Sequence, residues 1–147
     1  MELKLTKSQY ETLLRLVYLG NAVANDYRTD DDIDAETDAL ESLIFSKAHD
    51  AGLGKYAEFE EAEGRTFPTQ AAEEAWNPDL DVYRNDVFWD ELESRLADRD
   101  LAARYGEGYD KTMEMAEIER LENEIVEKYY QEFTKDGVKN LMIVRPS

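Results

Sequence analysis

The sequence predicts a mainly α fold: a compact bundle of about four or five helices in a single acidic domain spanning residues 1–147, with a two-stranded ribbon that the chain termini can supply. Three observations predict it. Apolar residues recur at helical spacing in several long segments. Capping residues and glycines mark where those segments start and stop. The chain is long enough to bury a core without staples, and with no cysteine it has no disulfide to offer.

The stretch from Leu5 to Asn25 is the most apolar and organises the rest. Thr6 followed by Gln9 is a capping-box pattern, and Leu5 before the cap can pack on Tyr10. Tyr10, Leu13, Leu14, Val17 and Ala24 share one face, and Glu11, Thr12 and Arg15 the other. Past Arg15 the polar face disappears, as Leu16, Tyr18, Leu19, Ala22 and Val23 close the ring, which predicts a helix end surrounded by other elements. Gly20 there suggests close approach of a neighbouring backbone, and Asn21, within the apolar arc, a buried amide bonded to a neighbouring backbone.

An acidic run, residues 26 to 38, leads into a second helix over about Ala35 to Ala51, with Ile33, Leu40, Leu43, Ile44 and Ala48 toward the core, Gly52 as its stop and Leu53 making the apolar contact after it. From Gly54 to Asp81 the pattern weakens, and only a short helix starting near Thr69 is expected. A third helix should begin near Asn85 or Asp86, present Phe88, Trp89, Leu92, Leu96 and Arg99 on one face, kink near Asp98 to Asp100, and end before Gly106. The last helix runs from about Asp110 to Lys135 on the stripe Met115, Ile118, Leu121, Ile125, Tyr129 and Phe133, stopped by Gly137. Glu2 to Leu5 and Leu141 to Arg145 read as short strands that can pair.

Composition narrows the function classes. The 35 acidic against 17 basic residues give a formal net charge of −18, which repels phosphate backbones and anionic lipid heads, so direct binding to nucleic acid or membrane is not expected. No apolar run approaches the ~20 residues of a membrane span and no signal-peptide pattern opens the chain, so a cytoplasmic protein is expected. Without cysteine, thiolate metal sites and cysteine nucleophiles are excluded.

Four constellations bear on chemistry. Asp30, Asp32, Asp34, Glu36, Asp38 and Glu41 fall at the oxygen-donor spacing of an EF-hand calcium loop, but Ala35 replaces the glycine of its sharp turn and Thr37 its apolar anchor. These acids therefore read as solvated residues at a helix start, where they suit the dipole. His49, the only histidine, precedes Asp50; one histidine cannot complete a metal phosphohydrolase site, and near a helix carboxyl end it favours the dipole. Glu122 lies in an apolar arc between Ile118, Ile125 and Val126, and pairing it with Arg99 would resolve two misplaced charges as a structural ion pair. Glu114 with Glu117 makes half of the E-x-x-E and E-x-x-D metal set of all-α magnesium-dependent pyrophosphatases, but the only E-x-x-D, Glu107 to Asp110, comes before it, in the wrong order.

The expected function is a non-enzymatic binding or adaptor protein that presents a carboxylate-rich helical surface to a basic protein partner, with no cofactor and no catalytic residue assigned. Two alternatives stay open. One is a metal-dependent (magnesium or calcium) hydrolase or metal-binding protein using helix-borne carboxylates. The other is a small-ligand binder using the aromatic residues Tyr56, Phe59, Phe67, Trp76 and Trp89. A monomer and a weak homodimer are equally compatible with the sequence, and the acidity can equally serve solubility or salt tolerance.

Overall fold

The computed structural model describes residues 2–144 and contains four α-helices and one two-stranded antiparallel sheet among them. Contacts divide the chain into two compact units, Met1–Val82 and Tyr83–Ser147.

In the first unit, helix α1 spans Lys7–Asn25 and opens with the full capping box: Gln9 N–H donates to Thr6 Oγ1, and Thr6 N–H donates to Gln9 Oε1. Each bond satisfies a donor that the first helical turn would otherwise leave orphaned. Leu14 is fully buried, but the ring does not close around the later turns: Leu16 is 61% and Val23 54% exposed, and nothing lies within 4 Å of a Cβ placed on Gly20. Among the described residues, no neighbouring element's backbone comes within 4 Å of that position, so the close approach expected at Gly20 is not made.

Helix α2, Ala35–Phe45, starts where Asp34 accepts a hydrogen bond from Thr37 N–H. It is six residues shorter than the pattern suggests, because residues 46–51 form turns rather than helix. Gly52, at φ +69°, and buried Leu53 complete the reversal. Ile33, Leu40 and Leu43 are exposed; what α2 buries instead is Phe45 and, at its apolar seam, Glu41.

The weakly patterned middle forms a hairpin, β1 (Ala57–Glu60) and β2 (Arg65–Pro68), in register Ala57↔Pro68 to Glu60↔Arg65. This is the ribbon of the fold. Glu2 to Leu5 and Leu141 to Val144 contain no strand, and Arg145, which the expected terminal strand included, lies outside the described residues. Terminal segments of that length have too few pairing partners to hold together, whereas the hairpin is supported laterally: Thr66 N–H donates to Ser42 Oγ on α2.

Aromatic area holds this unit together. Phe45 is fully buried and meets Trp76 edge-on at 6.3 Å, while Tyr56 and Tyr18 flank the same indole at 4.8 and 5.6 Å. Such offset and tilted arrangements let ring edges meet ring faces. Tyr18 Oη donates to Asn77 Oδ1 and Tyr10 Oη to the Ile44 carbonyl, so the hydroxyls are satisfied where the rings are packed.

Helix α3 is continuous from Gln70 to Tyr105, 36 residues through Pro78. There is neither a separate short helix near Thr69 nor a fresh start at Asn85, and the expected break at Asp98 to Asp100 is absent. A mid-helix proline removes one hydrogen bond and costs about 3 kcal/mol. Burial of Trp76 and Leu80 on either side of the exposed Pro78 opposes that cost.

The second unit pairs the later turns of α3 with α4, Met115–Asp136, which is stopped by Gly137 at φ +57°. Trp89 meets Phe133, Asp100 meets Tyr129 and Asp98 meets Tyr109, so the two segments run antiparallel. Ala97, Leu101, Ile118, Leu121 and Phe133 are buried, while Met115 is exposed. No helix among the described residues is long and apolar enough to cross a membrane.

Candidate functional site

The acidic run does not form an ion-binding loop. Asp30 to Asp32 make one turn of 3₁₀-helix entered with Asp30 at φ +49°, Asp34 is spent capping α2, and Glu41 turns into the seam between α1 and α2. Among the described residues, no group of three or more His, Asp or Glu side chains is arranged to hold a metal ion. Glu114 and Glu117 are exposed at the start of α4, and Glu107 and Asp110 lie at the turn before it.

His49 lies in the turns beyond the end of α2, and its Nε2 is 3.2 Å from the Ala57 carbonyl oxygen. It therefore ties these turns to β1 rather than answering a helix dipole. A Cβ on Gly54 would sit 2.3 Å from His49 Nδ1, so the ring occupies space that only a glycine leaves open.

Asn21 and Glu41 form the polar element of the first unit. Glu41 is 6% exposed, and burial pushes its carboxyl up to about 7, aided by nearby Asp38 and Asp26 and opposed by a hydrogen bond from Asn21 and the charge of Arg65. Asn21 Oδ1 in turn accepts from Asn25 Nδ2, and Asn25 Oδ1 accepts from Asp34 N–H. The Asn21 amide is thus bonded to side chains, not to the neighbouring backbone its position suggests. Outside the seam, Arg65 pairs with Asp38 at 2.6 Å and lies over the Phe67 ring at 5.2 Å.

Arg99 and Glu122 do not meet. The Arg99 side chain is 61% exposed and binds Asp100 at 2.7 Å and Tyr129 Oη at 2.8 Å. Burial opposes ionisation of Asp100, but hydrogen bonds from Tyr129 and Arg99 hold its carboxyl below the usual range. Arg99 misleads in sequence because, of the expected face Phe88, Trp89, Leu92, Leu96 and Arg99, the inward side of α3 keeps Trp89 and continues in steps of four through Glu93, Ala97 and Leu101, leaving Phe88 and Arg99 exposed. In a double-mutant cycle, Arg99→Ala with Tyr129→Phe should show a coupling of about 0.2–1 kcal/mol, the range of an exposed polar pair. Arg99→Ala with Glu122→Gln should be additive. Coupling above about 1 kcal/mol in the second cycle would restore the Arg99 to Glu122 pair.

The aromatic candidates separate. Tyr56 and Trp76 are packed together as core, Phe59 is 60% exposed on the hairpin, Phe67 lies under Arg65, and Trp89 belongs to the second unit.

Trp89 lines a concavity that sequence inspection missed. It has a volume of about 310 Å³ between α3 and α4 and is lined by Trp89 and Phe133, whose rings pack on each other at 5.4 Å, by the exposed Tyr130, and by Asp86, Asp90 and Glu93. Glu93 is 5% exposed. Burial pushes its carboxyl up, and Asp90 and Glu127 push the same way, while no hydrogen bond or cation is set against it among the described residues. Every fully buried side-chain nitrogen or oxygen there has a partner, so an unpartnered Glu93 carboxyl must open onto the cavity it lines. The signal that could have found it is a glutamate four residues after a tryptophan and four before a buried alanine, on the inward side of a helix.

Comparison of the chain with family models, with characterised proteins and with solved structures gives no match in any of the three.

Proposed function

We propose that this protein is a non-enzymatic binding or adaptor protein that presents a carboxylate-rich helical surface to a basic protein partner. One observation carries the reading. With 35 acidic and 17 basic residues, pairing every base with an acid still leaves 18 carboxylates without a cation of their own. Acidic side chains crowd the exposed surface, including Asp30 to Asp32 before α2 and Glu117, Glu119 and Glu127 along α4, where Arg120 pairs with Glu124. A surface of that density accelerates encounter with a positive patch and rejects polyanions.

Salt is the test. The Debye length shrinks from about 10 Å at 0.1 M to about 3 Å at 1 M, so the association rate with the partner should fall steeply across that range. Stopped-flow or surface-capture kinetics against a basic protein recovered from the native host will read it. Charge reversal by Asp31→Lys or Glu119→Lys should slow association while leaving the fold intact. A partner indifferent to both salt and reversal would sink the acidic-surface reading.

A further inference from the structure

We propose that the cavity lined by Trp89, Tyr130 and Phe133 is a recognition pocket for a single arginine side chain of the partner. The inference rests on the acidic-surface reading and names the place where that surface reads an individual residue. Charge complementarity selects a cation: among the described residues that line the cavity the charged ones are Asp86, Asp90 and Glu93, all three negative, and Glu127 close by adds a fourth negative charge. The aromatic walls then select an organic one, since aromatic faces attract organic cations and a bare metal ion gains little from them. The carboxylates fit the same conclusion, since among the described residues they form no group of three arranged to hold a metal ion.

Glu93 is what makes the place more than an acidic patch. The residue is 5% exposed, its carboxyl opens onto the cavity from the inward side of α3, and beyond partial desolvation the groups that act on it, Asp90 and Glu127, are carboxylates too. Ionised and unpaired, such a group is costly, and a cation brought against it removes the deficit. Among biological cations the guanidinium is the better fit than an ammonium. It is planar, so it can stack against Trp89 or Tyr130; it is weakly hydrated, so it enters an apolar slot readily; and its fork matches a carboxylate. The volume of about 310 Å³ is at the lower end of small-ligand pockets, suited to one side chain rather than a peptide segment.

The test is a titration of the full chain, followed by the Trp89 indole N–H resonance, with the capped peptide acetyl-Gly-Arg-Gly-amide and its lysine and citrulline counterparts. The arginine peptide should shift the Trp89 signal saturably while Trp76, buried in the other unit, stays still. Lysine should bind more weakly, and citrulline, isosteric but uncharged, not at all. E93Q should weaken arginine binding about tenfold or more, by loss of the charged acceptor. D90N, at the exposed rim, should weaken it less; it serves as the decisive variant if E93Q does not fold. E91Q, whose side chain pairs with Arg95 outside the cavity, should not change it. No saturable shift at Trp89, equal binding of citrulline, or unchanged affinity in both E93Q and D90N would overturn the pocket. Failure of the two readings is distinguishable. Salt-sensitive partner binding untouched by E93Q and D90N overturns the pocket and keeps the acidic surface; arginine-peptide binding at Trp89 beside a salt-indifferent partner does the reverse.

Discussion

Replacing Phe45 with alanine is expected to lower the stability of the first unit by about 3–5 kcal/mol, the range for emptying a buried phenylalanine site. Phe45 is fully buried, clusters with Leu14, Ala48 and Leu53, and sets its ring edge-on to Trp76 at 6.3 Å. The void cannot easily collapse, because Tyr10 ties α1 to the Ile44 carbonyl and Ser42 ties α2 to the hairpin. Against a typical domain stability of about 5–15 kcal/mol, such a loss can unfold a marginal unit. Urea denaturation followed by near-ultraviolet circular dichroism measures it. Leu40→Ala, on the same helix but 52% exposed, is the control and should stay within about 0.5 kcal/mol of the parent. Equal effects of the two substitutions would show that the core is not built around Phe45.

Glu41→Gln is expected to stabilise the protein at pH 8 by about 2–3 kcal/mol and to have little effect near pH 4.5. The Glu41 carboxyl is pushed up to about 7 in the folded chain, from an ordinary value of 4.5. Between those values the folded state keeps a proton that the unfolded chain has released, so stability falls as pH rises through the window. Above about 7 both states are ionised, and the whole penalty of burying the charge is present. Glutamine stays neutral throughout and can still accept the hydrogen bond from Asn21. Urea midpoints of parent and variant from pH 4.5 to 8 should therefore diverge as pH rises. The difference isolates Glu41, because both proteins carry the same remaining acids. Parallel profiles would show that Glu41 is solvated in the folded state.

Signals that act within a turn or two of chain are the ones the sequence by itself determined. Thr6 and Gln9 close a capping box whose partners are three residues apart, so α1 begins where the pattern says. The buried Ile118, Leu121 and Phe133 on α4, and the stop at Gly137, follow from helical periodicity and from a left-handed residue that glycine supplies without penalty. The excess of carboxylates is likewise a property of composition alone.

Tertiary contact decided the rest. Glu41 and its acidic neighbours are chemically alike in sequence, and only the approach of α1 sets Glu41 against Asn21 while leaving Asp30 to Asp32 in water. The hairpin forms because α2 supports a pair of four-residue strands too short to stand alone. Continuity of α3 through Pro78 depends on burial of Trp76 and Leu80, a gain that local propensity does not contain. Glu93 takes its character from Phe133 and Tyr130, about 40 residues away on another helix. A helix pattern specifies that a side chain lies on a face; which of two adjacent faces loses water is settled by the element that covers it, and desolvation is what turns an ordinary carboxylate into a group with an altered proton affinity.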